Sequence, residues 1–334
     1  LFLERLYHTR ADLLVSRNKA DLKSFYLEGV PVSSHAQRIE LKRAEYLQAW
    51  AARKGIHFMD SASDIHIARM KVNGDTAKVT LTQSLKLSYI YLDSILPPQS
   101  FGLGTWHVLT LKNNHGKWFL YKEWYLDPLD ESPDTIPETS GSSDFFPHKD
   151  ELPKGNKYKR EQAVFYANKY AGIAWGAGNK HHYNKKYLNY TGRGGDCTNF
   201  ASQVVGDRIE GGALKMGGGW RYFNNVGGTQ KWVQTDAFKN FLLYSGYGRM
   251  LAYGTYSEIV KPTAGNPQGA FSKMHSGDLI AHVLHGDVDH FSVVTGFDVK
   301  GYPLINSHTA DRYKAPFDLG WNKYTKYILI HIND

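Results

Sequence analysis

The sequence predicts an α+β chain made of two α+β domains. Three observations carry this expectation. Apolar residues at helical spacing open each half of the chain. Period-two alternation and apolar runs of strand length follow them. A stretch rich in proline, serine and glycine separates the halves at residues 128–156. A length of 334 residues fits two domains of roughly 100–200 residues each. The expected division is 1–127, a smaller α+β domain, then the linker 128–156, then the main domain 157–334.

In the first block, residues 4–17 and 36–53 read as helices. In the second of these Ile39, Ala44, Leu47 and Ala51 recur at roughly helical spacing, and Gly55 closes the run. From Ala77 to Tyr91 the odd positions Ala77, Val79, Leu81, Leu85, Leu87, Tyr89 and Tyr91 alternate with mostly polar neighbours, the period of a half-buried strand. Residues 106–111 and 118–125 flank Asn113-Asn114-His115-Gly116, a hairpin signal. Helices followed by an antiparallel meander form one α+β layer. The element order resembles NTF2-like or cystatin-like helper domains. His57, His66, His107 and His115 are scattered, and surface or core roles are expected for them. The linker holds Pro128, Pro133, Pro137, Pro147 and Pro153 and the run Ser140-Gly141-Ser142-Ser143. It is too poor in aliphatic residues to pack a core of its own.

In the second block, residues 158–175 read as a helix with Ala163, Val164, Ala167, Tyr170 and Ala171 on one face. Gly192 to Gly195 lead into a short helix at 197–205, closed by Gly206. A Gly- and Trp-rich stretch covers 211–232, and a further helix covers 237–245. Residues 279–284, 290–299, 302–308 and 326–332 read as strands.

Composition bounds the function. The chain carries a net charge of +8 and a pI of about 9.2, which suits polyanionic partners. No compact Lys/Arg run of the kind that tracks a phosphate backbone is present, so nucleic acid is not expected as a partner. A single cysteine excludes an internal disulfide and the two-cysteine zinc patterns. No apolar run approaches the roughly 18 residues of a membrane span. The chain opens at Leu1 without an initiator Met, as a mature or a trimmed chain would, and a removed secretion signal is compatible with that start. Gly217-Gly218-Gly219-Trp220 lacks the Gly-Lys-Ser/Thr ending of a phosphate loop, and no Gly-x-Ser-x-Gly elbow occurs. Trp220, Tyr222, Phe223 and Trp232 either wall a groove or pack a core.

The chemistry centres on Gly194-Gly195-Asp196-Cys197-Thr198-Asn199-Phe200-Ala201-Ser202-Gln203. The one cysteine stands where a flexible loop becomes a helix. Helix N-termini carry partial positive charge and unpaired N–H groups, which stabilise a thiolate and the oxyanion formed after its attack. The backbone N–H of Cys197 is the expected oxyanion donor, with the Tyr190 hydroxyl as a second. A lone cysteine is also often a small buried hydrophobe. The base must come from elsewhere in the chain. His290 is the candidate, at the expected start of a strand in Asp287-Val288-Asp289-His290-Phe291-Ser292-Val293-Val294-Thr295-Gly296. A third polar group orients such an imidazole. If the turn at 299–301 keeps the faces matched, Asn306 falls opposite Val294 and His308 opposite Ser292. His308 then ranks first and Asn306 second. His282, His285, Asp287, Asp289 and His290 crowd together, but their spacing fits no zinc pattern, so neither metal nor organic cofactor is expected.

These residues resemble a known group. Asp-Cys-Thr-x-Phe, then Gly-Asp-Leu-Ile at residues 277–280, then His at the start of an apolar strand are similar to the NlpC/P60 and CHAP superfamily of papain-like cysteine hydrolases. The fuller motifs, including Ser307-His308-Thr309-Ala310-Asp311-Arg312, most resemble the family named putative amidase domain, found in secreted proteins of Gram-positive bacteria. The resemblance covers residues 158–334. It implies a papain-like domain with helices on an antiparallel sheet, Cys197 as nucleophile, His290 as base and His308 as the orienting residue. It also implies an extracellular or wall-associated hydrolase acting on cell-wall peptide or a related amide. Two departures stand out. Asn199 occupies the place of a small Gly usual in NlpC/P60, and Thr191 stands where papain has a Gln. A transferase using the same thioester and a non-catalytic wall-binding module remain the alternatives. Oligomeric state is not legible.

Overall fold

The computed structural model describes residues 1–93, 95–138, 152–153, 155–177 and 183–334. It divides into two compact units. The first is Leu1–Ile136 with Ile173–Trp175 and Leu319–Trp321. The second is Pro137–Gly172, Gly176–Asp318 and Asn322–Asp334.

The first unit is α+β. Helices α1 (Phe2–Ser16) and α2 (Pro31–Lys54) precede strands β1 (Ile56–Asn73), β2 (Thr76–Tyr91), β3 (Gln99–Asn114) and β4 (Lys117–Tyr125), paired antiparallel in chain order. Pro31 sits in the first turn of α2, where its missing N–H costs nothing, and Gly55 ends the helix in the left-handed conformation. The odd positions of β2 are buried from Ala77 to Tyr89, as their alternation predicts. The core also holds a polar group. Arg10 donates to Glu123 and Tyr26, and His107 bonds Glu123 at 2.8 Å and Thr105 at 2.7 Å. His107 therefore has a core role. Long β1 has no counterpart in the sequence reading, because most of its residues are exposed and its alternation is short and broken.

The expected linker begins later than residue 128. Leu129 and Ile136 are buried, and residues through Ile136 belong to the first unit. The Ser140–Ser143 run lies outside the described residues.

The second unit contains α3 (Arg160–Lys169), α4 (Cys197–Gly206), β5 (Tyr222–Phe223), β6 (Gly227–Gly228), α5 (Gln230–Val233), α6 (Thr235–Tyr244), β7 (Gly248–Thr255) and α7 (Tyr256–Val260). Strands β8 (Leu279–Leu284), β9 (Asp287–Phe297), β10 (Pro303–Ser307), β11 (Asp311–Pro316) and β12 (Lys326–Ile332) follow. The sheet order is β11-β10-β9-β8-β12-β7, and the neighbours pair antiparallel. Helices α3, α4 and α6 pack Ala163, Phe200, Val204 and Phe238 against Leu279, Ala281, Phe291 and Val293 on one sheet face. Trp220 and Trp232 are fully buried in this core and stack 4.9 Å apart. They wall no groove.

Two expected boundaries shift. The helix predicted over 158–175 ends at Lys169. Gly172 then turns with positive φ, and a Cβ there would stand 2.0 Å from the Asp311 carboxylate. Strand β9 starts at Asp287, so His290 lies inside it rather than at its start. Asp278 of the Gly-Asp-Leu-Ile motif is a tie point. It accepts from Arg160 at 2.7 Å, His331 at 3.1 Å and the N–H groups of His275 and Ile332. These bonds join the start of α3 to the end of β12, and buried charge of this kind persists only when so paired.

Candidate active site

Cys197 is the first residue of α4 and is buried. The first N–H groups of a helix have no intrahelical acceptor. Its Sγ lies 3.8 Å from Thr198 Oγ1, and the backbone N–H of Phe291 is directed at it. That N–H is available because of the sheet. Strand β10 accompanies β9 only as far as Val293, which pairs with Asn306. His290 directly precedes Phe291, so α4 and β9 bring the two expected catalytic residues into one neighbourhood. No hydrogen bond joins Sγ to the His290 imidazole.

The charges differ from the thiolate expected at the helix start. Burial pushes the Cys197 thiol above its ordinary value. The Phe291 N–H and Thr198 pull the other way without offsetting it, and the Asp196 charge adds to the rise. The helix N-terminus does not produce a resting thiolate here, because desolvation disfavours any charge at this depth. Burial likewise lowers His290 well below its ordinary value, helped by the positive charges of Arg312 and His308. The resting pair is a thiol and a neutral imidazole.

His290 has a neighbour that the sequence reading set aside. His282 pairs with it across β8 and β9, with ring centroids 5.4 Å apart, and bonds Ser292 at 3.0 Å. Both imidazoles lie on the sheet face opposite Phe291 and Val293. Among the described residues no group of three or more His, Cys, Asp or Glu is arranged to hold a metal ion.

The two candidate third residues are placed otherwise than the matched-turn register predicts. A register shift between Leu304 and Ile305 sets Ile305 against Val294 and Asn306 against Val293. One extra residue on β9 turns Asn306 to the face away from His290, the effect a one-residue slip must have. Asn306 is a structural tie. It donates to the Ala167 carbonyl and Asn168, and accepts from Thr295 and the Lys314 N–H. His308 lies beyond the end of β10. Its Nδ1 meets Asp196 at 2.6 Å and its Nε2 meets the Tyr170 carbonyl at 2.7 Å. With both nitrogens so engaged, His308 does not hold the His290 ring by a hydrogen bond. Burial opposes a charge on His308, but Asp196 and the carbonyl outweigh it and raise its pKa. Its ring stacks on Phe200 at 3.9 Å.

Asp196, quoted in the motif but given no role there, is the hub. One oxygen takes His308. The other accepts from the Tyr190 N–H at 2.7 Å and from Asn199 at 2.9 Å. Its own N–H donates to Thr309. Asn199 also donates to the Leu188 carbonyl and accepts from Trp232 at 2.9 Å. The larger residue at this position therefore fixes the loop before Cys197. The Tyr190 hydroxyl accepts from the Gly228 N–H at 3.0 Å, which ties it to the β6 segment and leaves its own O–H to donate. The signal that pointed to Asp196 was its position directly before the cysteine, and the sequence alone offered no partner for it.

Comparisons place these residues among known proteins. Residues 157–331 match the family model described as "Putative amidase domain". No curated protein matches the chain. A solved structure of the intermembrane space region of chloroplast protein ARC6 is 12% identical, with a TM-score of 0.28, over 37% of this chain and 90% of that one. Among the described residues no helix is long and apolar enough to cross a membrane.

Proposed function

Since the chain belongs to this amidase family, we propose that its second unit is a cysteine-dependent amide hydrolase with a papain-like active site, in which Cys197 is the nucleophile and His290 the base. The observation that carries the reading is the placement of Cys197 at the first turn of α4 against the N–H of Phe291, one residue from a buried, neutral His290.

The resting charges define the order of events. His290 takes the Sγ proton as sulfur bonds to the amide carbon, so the charge appears only during attack. The carbonyl oxygen becomes an oxyanion, held by the N–H of Cys197 at the helix start. The imidazolium gives its proton to the leaving nitrogen, the C–N bond breaks, and an amine departs from a thioester. Water then attacks that thioester and passes a proton to His290. The C–S bond breaks, the thiol recovers its proton, and a carboxylic acid leaves. His308 acts at one remove: its bond to Asp196 holds the loop that positions Cys197, and its charge keeps His290 neutral.

The substrate class is a peptide or related amide, and bacterial cell-wall peptide outside the cell is the setting we assign from the family motifs. The test is hydrolysis of soluble cell-wall peptides by the wild type, Cys197→Ala and His290→Ala. Losses of at least about a thousandfold are expected in both variants. Full turnover by Cys197→Ala would end the proposal.

A further inference from the structure

Near the β1–β2 turn the first unit keeps one sheet face open, and its register sorts the side chains there into rows. Lys71 of β1 pairs with Lys78 of β2, Lys78 with Thr110 of β3, and Thr110 with Lys122 of β4. The next row is Arg69, Thr80, Val108 and Trp124. Trp106 follows, opposite Thr82. Val108, Trp106 and Trp124 are 53%, 42% and 65% exposed. The first two rows line a groove of about 560 Å³.

Two features of this face are costly for folding alone. Lys71 and Lys78 stand directly opposite each other, and like charges in that relation destabilise a sheet. Large apolar side chains lie open beside them. Among the described residues none of the four cations is paired with a carboxylate. The first acid on this face is Asp64, two rows beyond Arg69. A second copy of the same face would bring cations onto cations. The complement is therefore anionic, with apolar surface of its own.

We infer that this face binds an acidic polysaccharide. Its carboxylate or phosphate groups lie along the Lys71–Lys78–Lys122 row. The C–H faces of its sugar rings rest on Trp124, Val108 and Trp106, and its hydroxyls meet Thr80 and Thr110. Single-stranded nucleic acid also combines charge with stacking, but it uses rings on which successive bases stack. Here the central strands offer threonine and valine in the two rows that line the groove, which holds a single indole, Trp124 on β4, while Trp106 stands one row beyond. The inference does not depend on the activity of Cys197.

The test uses the full chain at about physiological salt, near 0.15 M. Tryptophan fluorescence is titrated with polygalacturonate, neutral dextran and a single-stranded thymidine oligonucleotide. The variants are Lys71→Gln with Lys78→Gln, and Trp124→Ala, each checked for unfolding midpoint. Saturable binding of polygalacturonate alone, weakened at least tenfold in both variants while they remain folded, is the expected result. No binding, equal binding of dextran, unchanged affinity in the folded variants, or tighter binding of the oligonucleotide would overturn it.

Discussion

Asp196 and His308, 112 residues apart in the chain, meet at 2.6 Å with both side chains buried. One carboxylate thus joins the loop at 190–195, the start of α4 and the turn after β10. Cys197 takes its position from all three. The pair is local in space and remote in sequence, so its formation depends on the completed sheet rather than on helix propensity.

Removing the carboxylate charge tests this. Asp196→Asn leaves a buried imidazole without its counter-ion, and breaking a buried pair costs about 3 kcal/mol or more. A histidine whose pKa rises on folding adds stability fully below its unfolded value, about 6.5, and that stability fades as pH rises through the folded value. Wild-type stability should therefore decline as pH climbs above neutrality, and Asp196→Asn should flatten that decline. Urea unfolding between pH 6 and pH 8.5 measures both. A variant as stable as wild type with an unchanged pH profile would sink the assignment.

The thiol should behave as a buried, protonated group. Its pKa is raised by burial, so alkylation by iodoacetamide should accelerate only above the ordinary value of about 8.5, with no plateau of reactive thiolate at neutral pH. Adding moderate denaturant should restore ordinary reactivity by opening the site. Rapid, pH-independent alkylation near pH 6 would show a resting ion pair instead, and the order of proton transfer given above would fall.

Much of this was legible in the residues. The alternation of β2 and the Gly55-closed helix α2 follow from periodicity, and the helix start at Cys197 follows from the glycines before it, whereas His290 falls inside β9 rather than at its start. What escaped the sequence were features decided by tertiary pairing. A single register shift at Leu304 and Ile305 took Asn306 off the His290 face, and no local signal marks an extra residue in an apolar strand. Strand β1 carries little alternation because most of it is exposed. The resting charges were misjudged because a sequence shows the helix start at Cys197 but not its depth of burial.

Asn199 offers a cleaner structural test, since it touches neither Sγ nor His290 by hydrogen bond. Asn199→Ala deprives Trp232 Nε1–H, the Leu188 carbonyl and Asp196 of partners at once. Leaving a buried polar group unsatisfied costs about 1–3 kcal/mol. The expected outcome is a lowered urea midpoint, with catalytic loss through misplacement of Cys197. Asn199→Gly, which removes the amide and the Cβ together, should be no more stable than Asn199→Ala. A midpoint at the wild-type value in both would mean that water replaces every bond.

His290 is kept neutral by burial, then by the charges of Arg312 and His308. A base must be unprotonated, so its pKa sets the acid edge of kcat/KM. In the wild type that edge should lie well below pH 6.5, and activity should hold steady from neutrality down past the ordinary histidine range. Arg312→Met removes one opposing charge at similar length. The His290 pKa should then rise, and the acid edge should move up by on the order of one pH unit. His308→Gln should shift it in the same direction, with an added loss of stability that Arg312→Met need not share. Carbon-13 labelled histidine titrations report the same pKa without turnover. An acid edge that stays fixed when Arg312 is removed, in protein that remains folded, would show that another group sets it and that His290 is not the base.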